Sequence, residues 1–346
     1  NAPSLFRSLS HVSVYLAASD ECAFTPQTVA EVAWAFSTIG RRSPILFTAL
    51  AEAAVARKGS LAGRRRFSSS DLAKLAWAYA AADLPAPKLF NSDFAESCES
   101  VETWYESELA QLHEWQLWYW ERGMKAPLSQ GLTAKCRAAF TEASTKVKPS
   151  AGQRQTVAAL NLLDCVEDLE ERVQSQTGHL VDIQCKWKGT AVGVLVPAPD
   201  AFASGGEMAS TATRVKGKDD VEAAMAILSS PPSTPSPSSS SIDFEPHELL
   251  GPMALRARQL SNLGEMPIVA IDYAEWKRVL PNNRFSKESD LTPEMALEQL
   301  SKRLAIKLDE ATGAVADGGP PPAPVVTPGG KGRERKPARS KAVAAK

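Results

Sequence analysis

AEVAWAFSTIG at residues 30–40 returns almost unchanged as AKLAWAYAAAD at residues 73–83. An interval of 43 residues is the period of a helical repeat, and a repeat decides the fold before any other feature does. Around the first phrase, Val29, Val32, Ala33, Phe36 and Ile39 fall at helical spacing on one face. The matching positions 43 residues on are Leu72, Leu75, Ala76, Tyr79 and Ala82. The same apolar stripe is written twice, so the spacing predicts equivalent amphipathic helices over 25–39 and 68–82.

The starts of the two helices agree as well. Phe24-Thr25-Pro26 supplies an N-cap with proline at the first helical position, and Phe67-Ser68-Ser69-Ser70-Asp71 supplies a capping box. Phe24 and Phe67 sit where hydrophobic staples would close on Val29 and Leu72. Each helix is followed by a break, Gly40 to Pro44 or Asp83-Leu84-Pro85, and then by a second apolar segment in which Leu46-Phe47 is matched by Leu89-Phe90. The unit is therefore a helix pair, and stacked pairs bury one another's faces. A weaker third copy begins near Trp104: Leu109 and Leu112 stand 37 residues after Leu72 and Leu75, with Glu114 in place of the tryptophan. SELAQLHEWQLWYWERG (107–123) and LTAKCRAAFTEA (132–143) continue the helical text, and the stack is expected to close by residue 175.

The rhythm then changes. LVDIQCKWKG (180–189) and TAVGVLVPAP (190–199) are β-branched runs bounded by Gly and Pro, the pattern of a hairpin. SSPPSTPSPSSSS (229–241) cannot bury enough apolar surface to order itself and marks a low-complexity insertion over about 203–245. LGPMALRARQLSNLG (250–264) predicts a helix, PIVAIDY (267–273) a buried strand, and TPEMALEQLSKRLAIKL (292–308) a helix capped by Thr292. The expected organisation is a helical repeat array over 1–175, a small α/β domain over 176–310 and a disordered basic tail over 311–346.

At 346 residues and 44% hydrophobic content the chain can build real cores. The formal net charge of −1 conceals a basic end: residues 331–346 carry seven Lys/Arg against one Glu. Such a block seeks anions, nucleic acid among them, or is a solvated terminus with no partner. Five cysteines stand far apart with no C-x-x-C pair, which argues for reduced thiols, mostly in the core. No apolar run approaches the roughly 20 residues that cross a bilayer, so no membrane partner is expected. The chain opens on Asn1 rather than Met, as a mature or truncated product would.

The segments GHLVDIQCKWKG, VLVPAPDAF and LGPMALRARQLSNLGEMPIVAIDYAEWKRV together resemble the RAP domain of organellar RNA-binding proteins in algae, plants and apicomplexan parasites. The W-A-[FY] helices and ELAQLHEWQLW resemble the octotricopeptide-like arrays that often precede it. The most specific match is the strand followed by Tyr273-Ala274-Glu275-Trp276, and the two resemblances together cover most of residues 24–310. They imply RNA binding in a mitochondrion, or alternatively a plastid, and a RAP fold of restriction-endonuclease-like type. In the family pattern an acid in the first strand is followed by an acidic second segment. Asp182 fits the first, but Leu195-Val196-Pro197-Ala198-Pro199 fills the second, with Asp200 displaced. Carboxylates that would hold Mg²⁺ are missing there, so no cofactor and no catalysis are expected.

Cations for phosphates are Arg41, Arg42, Arg64, Arg65 and Arg66 before helix starts, and Arg256, Arg258, Lys277 and Arg278 in the α/β part. Lys331, Arg333, Arg335 and Lys336 belong to the tail. Trp34 and Trp77 lie one position off the apolar stripe, where packing between helices is preferred over stacking on bases. Trp115, Trp118 and Trp120 crowd one helix and cannot all face one core. The scattered histidines, His11, His113, His179 and His247, are expected at the surface or at caps. His113-Glu114 and His247-Glu248 lack the second histidine of a metalloprotease motif, and Gly329-Gly330-Lys331 lacks the spacing of a phosphate loop. The function expected is a non-catalytic RNA-binding subunit or assembly factor of an organellar ribonucleoprotein such as the mitochondrial ribosome, touching rRNA or a transcript beside other subunits. An RNA endonuclease and a protein-only scaffold adaptor are the competing classes.

Overall fold

A computed structural model of the chain describes residues 2–18, 24–56, 67–146, 148–197, 201, 249–264, 266–271 and 292–313. Eight helices come first: α1 (Ala2–Ala18), α2 (Pro26–Thr38), α3 (Pro44–Ala56), α4 (Ser69–Ala82), α5 (Ser92–Glu99), α6 (Glu106–Trp120), α7 (Gln130–Thr145) and α8 (Ala151–Leu160). Strands β1 (Val166–Gln174), β2 (Leu180–Trp187) and β3 (Thr190–Leu195) follow, then α9 (Gly251–Leu263), β4 (Ile268–Ala270) and α10 (Pro293–Thr312). The described part is thus mostly helical, with a small mixed sheet after the helices. Among the described residues no helix is long and apolar enough to cross a membrane.

Both copies of the opening phrase form helices, α2 and α4, and the two lie side by side. Their caps are those the sequence predicts. The Thr25 side chain accepts the Thr28 N–H at 3.1 Å, and Ser68 and Asp71 close a reciprocal capping box. Val29, Ala33 and Phe36 are buried in α2; Leu72, Leu75, Ala76 and Tyr79 are buried in α4. α4 lies between α2 and α6 and is buried on nearly every side, which explains its run of alanines: small side chains let its neighbours approach. The Ser37 hydroxyl donates to the Ala78 carbonyl at 2.7 Å, tying α2 to α4, and the Trp77 indole donates to Glu114 at 2.9 Å, tying α4 to α6. α3 packs beside α1, and α7 beside α6.

The second helices of the two copies differ. Leu46 and Phe47 lie in the first turn of α3, whereas Leu89 and Phe90 precede α5, which is only 8 residues long. Pro85 and Pro87 account for the difference, because proline removes a helical donor and clashes with the preceding turn. All four side chains are nevertheless buried in the same core.

The sheet has the order β1-β2-β3-β4, with β1, β2 and β3 antiparallel and β4 parallel to β3. The crossover between the two parallel strands runs through α9. α8 and α10 cover one face, packing Leu160, Leu300, Leu304 and Leu308 on Ile183, Val192 and Val194. α9 covers the other, where Leu260 meets Val181 and Leu195. The predicted hairpin is present as β2 and β3, but β1 is an additional edge strand within the stretch 1–175 that the sequence assigns to helices. α8, from the same stretch, packs with the sheet rather than with the preceding helices. The low-complexity insertion over 203–245, the Tyr273–Trp276 stretch and the tail beyond residue 313 lie outside the described residues.

Candidate nucleic-acid interface

α9 decides the fate of the two cations the sequence sets on it. The helix runs across α2, α4 and α6 while its opposite side rests on the sheet, so most of its side chains face protein. At its start Gly251 abuts the end of α2: a β-carbon there would fall 1.8 Å from the Ser37 carbonyl oxygen. Only glycine permits that approach. One turn on, Leu255 enters the core of the helical part.

Arg256 and Arg258 are accordingly engaged inside the molecule, which corrects their assignment as open phosphate ligands. Arg256 donates to the Leu180 carbonyl and, at 3.0 Å, to Asp182. Arg258 straddles the Glu121 carboxylate, with Nε 3.2 and 3.3 Å from its two oxygens, and donates to the Ala80 carbonyl at 2.7 Å. Each guanidinium group is thus paired with a carboxylate and a backbone carbonyl of the same chain, which supply the anionic charge and acceptors that a phosphate would otherwise bring. Gln259 extends the brace, donating to the Glu114 carbonyl at 2.7 Å and accepting from His179 Nε2 at 2.8 Å.

Asp182, the acid that would begin a nuclease metal site, has both oxygens engaged. Oδ1 faces Arg256, and Oδ2 accepts the Val196 N–H at 2.9 Å. Its neighbours on β3 are Val194 and Leu195, both buried and apolar. Among the described residues, no three His, Cys, Asp or Glu side chains converge as metal ligands would.

Of the remaining predicted cations, Arg41 and Arg42 lie in the turn between α2 and α3, Arg41 half-buried and Arg42 exposed. Arg64, Arg65, Arg66, Lys277, Arg278, Lys331, Arg333, Arg335 and Lys336 all lie outside the described residues. Trp77 is buried and hydrogen-bonded to Glu114, so it packs between helices, while its counterpart Trp34 is 38% exposed. Trp115 and Trp118 are buried and Trp120 is exposed, as the crowding on α6 requires. The Arg122 guanidinium lies 4.0 Å above the Trp118 ring, whose N–H donates to Asp83 at 2.9 Å.

Two histidines overturn the surface assignment. His113 and His179 are both buried and sandwich Phe140, with ring centroids 5.0 and 4.8 Å from it. His113 Nε2 donates to the Thr177 carbonyl at 2.9 Å. Burial holds the His113 imidazole below its usual range and pushes His179 down to about 4. Burial likewise raises the Glu114 carboxyl to about 7 despite its bond from Trp77. These groups join α6, the turn between β1 and β2, and α9. The only sequence signal for them is their place in apolar text; the pairing is set by tertiary packing. Burial also lifts the Cys136 and Cys185 thiols to about 12 and about 11, which keeps them un-ionised and unreactive.

Beside α3 the unwound Pro85–Pro87 segment leaves an apolar groove of about 490 Å³, lined by Phe47, Ala51, Val55, Pro85, Pro87 and Leu89, with Glu52 and Lys88 at its walls. It offers apolar contact and no cluster of cations. No family model matches the chain, and no curated protein matches it either.

Proposed function

We propose that the chain binds RNA without cutting it, as a subunit or assembly factor of an organellar ribonucleoprotein, with a mitochondrial ribosome as the favoured setting. The observation that carries the non-catalytic part is Asp182, whose two oxygens are held by Arg256 and by the Val196 N–H beside an apolar β3. A carboxylate so neutralised is a poor ligand for Mg²⁺, which needs free anionic oxygens. The order of helices followed by a mixed sheet agrees with the array and the restriction-endonuclease-like RAP fold that the sequence resemblance implies. Because Arg256 and Arg258 are engaged internally, phosphate contact falls to Arg42, to Arg64–Arg66, to Lys277 and Arg278, and to the basic tail. Incubating labelled RNA with the protein and Mg²⁺ or Mn²⁺ tests this reading: the RNA should stay full-length. Metal-dependent cleavage that Asp182→Asn abolishes would replace it with the endonuclease reading. The apolar groove beside α3 favours a second reading, in which the chain is a scaffold that contacts protein alone.

A further inference from the structure

We infer that residues 219–228, part of the insertion that precedes α9, dock as a short helix in the apolar groove beside α3. The groove exists because the second repeat lacks a full second helix. α3 packs against α1 and α2, but on its side towards the second repeat it faces the loop 84–89. Phe47, Ala51 and Val55 stand four residues apart and form one ridge along α3, with Pro85, Pro87 and Leu89 across from it. The small Ala51 between two larger side chains makes the hollow. Glu52 and Lys88 are exposed, one on each wall, and leave the space between them apolar.

The insertion holds a stretch that suits this space. DDVEAAMAIL (219–228) sets Val221, Ala224, Met225 and Leu228 at i, i+3, i+4 and i+7, one face of a helix. Asp219 followed three residues on by Glu222 is a helix-start signature, and Pro231-Pro232 ends the helix within a turn of Leu228. At 1.5 Å per residue the stripe from Val221 to Leu228 runs about 10 Å, close to the roughly 12 Å from Phe47 to Val55. A lone helix shorter than about 12–15 residues is marginal in water, so this one needs a surface on which to bury its stripe. The Ser-, Thr-, Gly- and Pro-rich flanks are too polar to provide it.

The structure fixes where the insertion leaves and returns. The Leu250 N–H donates to the Ala201 carbonyl at 2.8 Å, which brings its two ends together. That point abuts the end of α2: a β-carbon on Gly40 would lie 3.7 Å from the Leu249 carbonyl oxygen. Pro44, which lines the groove, comes four residues after Gly40, at most about 15 Å of chain. Arms of 17 and 20 residues (202–218 and 229–248) join 219–228 to the same point. At about 3.3 Å per residue the shorter arm spans up to roughly 56 Å, so the groove is within reach. Tethering makes the docking intramolecular and favours this segment over a free partner, which would have to displace it.

Photo-cross-linking of the full chain tests the inference. With p-benzoylphenylalanine in place of Thr48, an exposed position on the groove wall, irradiation should capture a peptide within 219–228 of the same chain. The yield should be independent of protein concentration. Met225→Glu together with Leu228→Glu should cut that yield roughly tenfold or more, because both charges would enter the apolar groove. These substitutions lie outside the elements that build the groove, so its walls stay as they are. Ala226→Glu, about 150° around the helix from the stripe, should leave the yield unchanged. Absence of a cross-link, capture only of another stretch or of a second chain, or a yield that responds equally to Ala226→Glu and to the paired substitution would overturn the inference.

Discussion

Arg258 on α9 reaches over to Glu121, just past the end of α6, with its Nε within 3.3 Å of both carboxylate oxygens, while the Glu121 side chain is only 3% exposed. A buried carboxylate is tolerated because its partner is present, and removing that partner leaves an uncompensated charge. Arg258→Ala should therefore cost about 3–5 kcal/mol. The exposed pair of Lys302 and Glu298 provides the contrast, since Lys302→Ala should leave the urea midpoint nearly unchanged. Urea midpoints of the two variants check both values.

Gly251 tests the docking of α9 in another way. A methyl group there meets the Ser37 carbonyl at 1.8 Å, so the helix must shift away from α2. Gly251→Ala should destabilise by about 1–3 kcal/mol, the usual cost of overpacking a close contact. Gly131, in α7, has room for a methyl group, whose nearest neighbour would be the Ser129 hydroxyl at 3.9 Å. It should show the opposite sign: Gly131→Ala should stabilise by about 0.5 kcal/mol. Thermal unfolding distinguishes the two.

The buried joint predicts a pH dependence. His179, held neutral by burial, takes up a proton only near about 4 in the fold but near its ordinary value of 6.5 when unfolded. Stability should be insensitive to His179 above about pH 6.5, fall between 6.5 and 4, and level off below, a loss of about 3 kcal/mol in all. Glu114 has the opposite sign. Its carboxyl titrates near about 7 in the fold and near 4.5 unfolded, so it costs stability as pH rises through that interval. His179→Gln should flatten the acid limb. Glu114→Gln, which keeps an acceptor for Trp77, should raise stability at neutral pH. Melting temperatures across pH 4–8 measure both.

What is legible in the sequence follows from how local each signal is. The α2 and α4 helices rest on spacing and caps within a dozen residues, and α10 is marked by Thr292 and Pro293 at its start. β1 is hidden because VEDLEERVQ, an edge strand interrupted by a bulge between Glu167 and Glu170, exposes charges along most of its length and shows no strand alternation. Arg256 and Arg258 are visible as cations, but their carboxylates lie 74 and 137 residues away in sequence, so nothing local announces them as internal braces. His113 and His179 escape a local reading for the same reason: their shared partner, Phe140, is on α7.

The apolar stripe of α4 gives a direct test of the face assignment. Leu75 is 1% exposed, whereas Lys74 beside it is half-buried and takes no part in the core. Leu75→Ala should cost about 2–5 kcal/mol and Lys74→Ala close to nothing. Equal effects in denaturant titrations would show that the helix faces the other way.

That this chain holds RNA through cations outside α9 is decided by titrating RNA binding against salt. Affinity should fall linearly on a logarithmic plot as salt rises. Replacing Lys331, Arg333, Arg335 and Lys336 together with alanine should lower the slope by roughly 0.7–0.9 for each phosphate left un-neutralised. The fold should be unaffected, and binding should persist in the presence of a chelator. Absence of RNA binding at low salt, or a slope that does not change with the tail substitutions or with Arg42→Ala and Arg64–Arg66→Ala, would contradict it.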